Sequence, residues 1–170
     1  MTDGFDKIEV LYSEYLSVYH DMWNRYKSLQ EIQYGERRYK ESIIPLFFRA
    51  IKDKDVQMLQ FGIAAASHDG VDTDYTEVFK KIILEQWHEE HEDIVSIVNL
   101  YLRDDVFTDA LWEIAMKPKI YRKYDDELES TLRKCVHALK AIGTPKANAV
   151  LEKLVRTGNS NVQYALEMYK

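Results

Sequence analysis

Glycine and proline are scarce in this chain, six and three among 170 residues, and most of them fall between segments whose apolar residues recur every third or fourth position. That period belongs to helices packed on one face, so an all-α fold is expected. The first such segment, about 5–34, places Ile8, Tyr12, Tyr15, Tyr19, Met22, Tyr26 and Leu29 on one side of a single long helix that Gly35 stops. Eight shorter helices follow at about 39–52, 55–67, 75–89, 92–102, 105–117, 127–142, 145–156 and 161–169, about nine helices in all. The apolar runs 43–48 and 94–102 could pass for buried strands, but no hairpin turn or partner strand accompanies them, and helix is preferred. Thr144-Pro145 supplies an N-cap oxygen followed by a proline whose missing N–H is not needed there, and Gly143 and Gly158 can take the positive φ of a helix stop. Asp74 with Glu77 resembles a capping box. Pro45 either starts a helix near Ile44 or kinks one begun at Tyr39.

Length and polarity bound what such helices build. A chain of 170 residues with 46% apolar side chains can bury one core, and a single domain over 1–170 is expected. No run approaches the roughly 20 apolar residues of a bilayer span. The net charge of −6, from mixed charges, argues against a nucleic-acid-coating protein and against an unfolded acidic chain. A lone cysteine, Cys135, excludes an intramolecular disulfide framework and thiolate clusters, and no leader segment is visible, so a cytoplasmic location is expected.

The stretch from Leu132, LRKCVHALKAIGTPKANAVLEKLVRTGNSNVQYALEMY, resembles the HEAT-like helical repeats of the phycobilisome-lyase type. The resemblance rests on Leu132, Cys135, Val136, Leu139, Ile142, Gly143, Pro145, Ala147, Leu151, Leu154, Asn159, Val162, Ala165 and Leu166. Leu132 aligns with Val162, Cys135 with Ala165 and Val136 with Leu166, a repeat of 30 residues. Upstream, Val56, Leu59, Ile63 and Ala66, and then Ile94, Ile97 and Tyr101, keep part of the spacing without the turn glycine. The resemblance implies an α-α superhelix, a short HEAT-like solenoid over 39–170 with the segment 5–34 as a capping helix. It also implies a concave side on which a macromolecule docks, formed by helices near 56–66, 92–102, 132–142 and 162–169. Those helices would present Gln57, Gln60, Asp93, Ser96, Asn99, Arg133, His137, Lys140, Gln163 and Glu167.

No residue pattern makes an enzyme. His88 and His91 lie three apart among Glu89, Glu90, Glu92 and Asp93, whereas a zinc-protease helix needs histidines four apart on one face. A solvated acidic turn is the simpler reading. The loop Ser67-His68-Asp69-Gly70-Val71-Asp72-Thr73-Asp74 lacks calcium-loop spacing, and reads as a turn at Asp69-Gly70 with Asp74 as cap. Cys135 falls in an apolar stripe and is expected in the core. No catalytic residue, metal site or cofactor is assigned.

Charge blocks point instead to a protein partner. Glu85, Glu89, Glu90, Glu92 and Asp93 next to Trp87 would hold a basic protein by opposite polarity and an aromatic anchor. The candidate partner-binding residues are Trp87, Glu89, Glu90, Glu92, Asp93, Ser96, Asn99 and His137. Helical-repeat immunity proteins are similar in general character, and the expectation is a bacterial immunity protein occluding a basic toxin or nuclease domain. Two alternatives stand beside it. One is a nucleic-acid binder or enzyme resembling the HEAT-like DNA glycosylases, using Lys117, Lys119, Arg122 and Lys123 with Tyr121, Tyr124 and Trp112; the other is a scaffold or adaptor subunit. The tyrosine seam of the first helix is expected to pack on the repeats, with a homodimer as its other use.

Overall fold

A computed structural model describes residues 2–168, with side chains placed from Lys7 onward. Among the described residues the chain forms eleven α-helices and no strand. None of the described helices is long and apolar enough to cross a membrane. The chain divides into two compact units, Met1–Val78 and Phe79–Lys170.

The first unit corrects the expectation of one long helix over 5–34. The segment is two helices, α1 (Thr2–Ser17) and α2 (Met22–Leu29), separated by a turn. Ser17 turns its hydroxyl onto the Glu14 carbonyl (2.7 Å), and Asp21, in extended conformation, caps α2 by accepting the Asn24 amide (3.2 Å). Arg25 then lies over the Tyr15 and Tyr19 rings, 5.6 and 4.9 Å from their centroids, which draws α2 onto α1. The tyrosine seam divides at that turn: Tyr12 and Tyr15 are buried, whereas Met22 is 75% and Tyr26 54% exposed.

Helices α3 (Lys40–Asp53) and α4 (Val56–Asp69) are joined by Lys54 in the left-handed conformation and Asp55, whose carboxylate accepts the Met58 amide at 3.0 Å. So short a link makes them antiparallel neighbours. Pro45 lies inside α3, which runs through it. Gly62 of α4 leaves room for α3: a Cβ there would come within 3.1–3.3 Å of the Phe47 ring and Leu46. Helix α1 docks by packing Tyr12 (tilted) and Tyr15 (T-shaped) against Phe61 of α4, with centroids 5.2 and 5.3 Å apart.

The loop after Asp69 is turn and cap chemistry, with the roles exchanged. Asp72, not Asp74, accepts the Asp74 amide (3.0 Å) and starts the 3-10 turn Thr73–Tyr75 that leads into α5 (Thr76–Ile82). Asp74 pairs instead with Lys40 (2.6 Å), which also holds Asp72 (2.8 Å). Asp69 is fully buried and receives the Arg38 and Tyr39 amides at the entry to α3 (2.9 and 3.1 Å). Burial raises its carboxyl above the usual range, and the two amides oppose that rise.

In the second unit α5 ends at Ile82, seven residues short of its expected end, and the chain continues to α6 (His91–Ile97). Helix α6 closes in a π turn, Val98–Leu102. That wider turn inserts a residue into the 3.6 period, so Leu102 points inward while Tyr101, one of the repeat positions, is 38% exposed. Then come a 3-10 turn (Asp105–Phe107), α7 (Thr108–Met116), the short α8 (Pro118–Tyr121), α9 (Ser130–Ile142), α10 (Pro145–Arg156) and α11 (Ser160–Glu167). The divided first helix and α8 account for eleven helices where nine were expected.

The C-terminal punctuation forms as expected. Gly143 (φ 66°) and Gly158 (φ 73°) are left-handed, Thr144 accepts the Ala147 amide (3.1 Å) ahead of Pro145, and Asn159 accepts the Asn161 amide (2.8 Å). Helix α9 is the central element and packs against α6, α7, α10 and α11. Leu132, Cys135 and Val136 are buried on α9, and their repeat equivalents Val162 and Ala165 are buried on α11. This arrangement serves two helices that could not cover their apolar stripes alone.

Candidate partner-binding face

The loop from 83 to 90 is organised by the two histidines, against the expectation of a solvated turn. His88 and His91 are 2% and 3% exposed. The His88 Nε2–H donates to the Ile82 carbonyl at the end of α5 (2.9 Å), and its Nδ1 accepts the Glu90 amide (3.1 Å). The His91 Nε2–H donates to the Glu85 carbonyl (2.8 Å). The imidazoles stack at 4.7 Å, with Trp87 edge-on to His88 and Tyr121 edge-on to His91. At the end of α5 the Ile82 carbonyl accepts both the Glu85 amide (3.1 Å) and the His88 ring, and the Glu85 carbonyl in the loop is taken by His91. Burial pushes the His88 imidazole down to about 4 and lowers His91 as well.

The acidic block does not form one patch. Glu89 accepts the Tyr124 hydroxyl and pairs with Lys123 (3.3 Å), and those two contacts, the tyrosine first, lower its carboxyl. Glu92 points the other way, pairing with Lys134 (2.8 Å) and accepting the Ser130 hydroxyl (3.0 Å), both on α9. Asp93 meets solvent on its outer edge, yet desolvation still raises its carboxyl, with Lys134 pulling it back. Trp87, Glu90, Ser96 and Asn99 are half-buried, and Ser96 donates back to the Glu92 carbonyl (3.0 Å).

Adjacent residues of α9 reach in opposite directions. Lys134 holds α6 through Glu92, while Arg133 donates to the Asn161 side chain on α11 and lies over the Tyr164 ring, 4.3 Å from its centroid. His137 follows one turn later and is half-buried against the Ala165 backbone of α11, which leaves it between helices and not on display. A polar row therefore crosses α6, α9 and α11, with Glu92, Asp93 and Ser96 on the first helix, Arg133 and Lys134 on the second, and Asn161 and Tyr164 on the third.

The basic segment is mostly committed elsewhere. Lys117 pairs with Glu113 (2.5 Å), Lys123 with Glu89, and Arg122 is buried. Arg122 donates to the Ile114 and Ala115 carbonyls closing α7 (3.2 and 2.9 Å), and also to Asp125 and Glu129. Asp125 in turn accepts the Thr131 and Leu132 amides that open α9, and Glu129 accepts the Asn159 and Asn161 side chains at the start of α11. Three helix ends thus meet in one polar network that sequence reasoning missed. Its only visible signal was an Arg and four acidic residues within eight positions, a pattern shared by any solvated loop. Trp112 has Lys153 Nζ 5.8 Å from its ring centroid, an intramolecular use of the aromatic face.

Among the described residues no group of three His, Cys, Asp or Glu side chains is placed to hold a metal ion. Cys135 is buried, and desolvation pushes its thiol up to about 12. No family model, curated protein or solved structure matches this chain.

Proposed function

We propose that this chain is a non-enzymatic helical-repeat protein that binds another protein, and that its most concrete role is that of an immunity protein covering the active-site cleft of a basic toxin domain in the cytosol. The observation that carries this reading is the polar row on α6, α9 and α11, braced from the centre by Lys134–Glu92 and Arg133–Asn161. A face whose side chains are already held loses little freedom when a partner arrives. The net charge of −6 favours a basic partner, and the exposed Asp93 on α6 supplies negative charge on that row. The 30-residue likeness between α9 and α11 supports the HEAT-like reading of the stack. A phosphate-binding reading is weaker, because three of its four cations are paired or buried.

The test is titration of the basic toxin or nuclease domain encoded by the neighbouring reading frame. One equivalent of this protein is expected to abolish its activity, and Asp93→Lys to weaken the inhibition most at low salt. Undiminished toxin activity at saturating protein rejects the immunity role.

A further inference from the structure

We propose that the His88–His91 stack is an acid-released latch, holding residues 83–90 closed while both rings are neutral and freeing that loop when they gain protons. The donor pattern requires this. His88 gives its Nε2–H to a carbonyl and receives the Glu90 N–H on Nδ1, so only the neutral Nε2–H tautomer satisfies both contacts. A proton on Nδ1 sets one N–H against another. His91 gives its Nε2–H to the Glu85 carbonyl, and its ring is stacked 4.7 Å from His88, so a charge on either ring opposes a charge on the other.

The groups around the pair do little to shelter two cations. Trp87 and Tyr121 lie across the pair, their rings steeply inclined to His88 and His91, and bring no charge to it. Lys123, beyond Tyr121, opposes protonation of His91, and Glu89 favours it but is already engaged by Lys123 and Tyr124. Glu85 and Glu90 belong to the same loop and, on either side of His88, would be released with it. From the ordinary imidazole value of 6.5 and about 4 in the closed loop, His88 alone shifts the balance toward the open loop by up to about 300-fold in acid.

The consequence for the partner rests on the binding reading above: the latch presents Trp87, Glu89 and Glu90, so acidification would dismantle that part of the face. The test of the latch itself needs no partner. In a Trp23→Phe, Trp112→Phe background Trp87 is the only tryptophan, and its emission is read from pH 7 to 4 with amide-exchange protection of residues 83–91 and of α9. The loop amides and Trp87 are expected to change between pH 6.5 and 4 while α9 stays protected. His88→Gln and His91→Gln, which keep a donor and remove the titration, are expected to abolish that step. Constant loop protection to pH 4, loss of the loop only together with α9, or an unchanged step in the glutamine variants overturns the proposal. Should those variants fail to fold, NMR titration of the two imidazoles in the unaltered chain decides it: ordinary values near 6.5 with the loop still protected would sink the latch.

Discussion

Arg122 and Asp125, 3.0 Å apart and each at most 6% exposed at the side chain, bind the end of one helix to the start of another. The guanidinium closes α7 through the Ile114 and Ala115 carbonyls, and the carboxylate opens α9 through the Thr131 and Leu132 amides. Removing Asp125 leaves the buried Arg122 with Glu129 as its remaining carboxylate and takes the acceptor from the Thr131 and Leu132 amides. Asp125→Ala is therefore expected to destabilise the second unit by about 1.5–3 kcal/mol, measured by urea unfolding, and an effect below about 0.5 kcal/mol would contradict the network.

Acid should weaken the fold in two stages. His88 and His91 have folded values below the ordinary 6.5, so the unfolded chain binds protons first, and stability falls as pH drops from about 6.5 toward about 4. Asp125 and Glu129 come next. Burial opposes their ionisation, but the Thr131 contacts and Arg122 for Asp125, and Asn161, Asn159 and Arg122 for Glu129, outweigh it and hold both below the usual carboxylate range. Their contribution is full above that range and is lost as pH falls through the lower folded values. Urea midpoints from pH 7 to 3 should show both stages, with His88→Gln removing part of the upper one and Asp125→Asn part of the lower.

Cys135 should be inert in the folded chain. It is fully buried and its thiol is pushed up to about 12, so a thiol reagent at pH 8 is expected to label it only as fast as the protein opens, and at once in denaturant. Rapid labelling of the native protein would contradict this placement.

Two glycines separate packing from backbone conformation. Gly62→Ala adds a methyl 3.1–3.3 Å from the buried Phe47 and Leu46 side chains, and crowding by about 1–3 kcal/mol should outweigh the gain of up to about 1 kcal/mol in helix propensity. Gly143→Ala meets only ordinary contacts, but at φ 66° it should cost about 1–2 kcal/mol from backbone strain. Thermal melts of both variants check this, and a stabilised Gly62→Ala would mean that α3 can yield.

By itself the amino-acid sequence determined the helical class, the two C-terminal stops at Gly143-Thr144-Pro145 and Gly158-Asn159, and the buried stripe through Leu132, Cys135 and Val136, because periodicity, cap oxygens and left-handed glycines act within one or two turns of chain. The tertiary structure decided the rest. Arg25 of α2 reaches back over Tyr15 of α1 and Tyr19 of the turn once the segment is divided, and the acidic block divides as Lys123 and Lys134 approach it from different elements. Glu89 and Glu92 meet their lysines across 34 and 42 positions of chain, and local sequence carries no record of that distance.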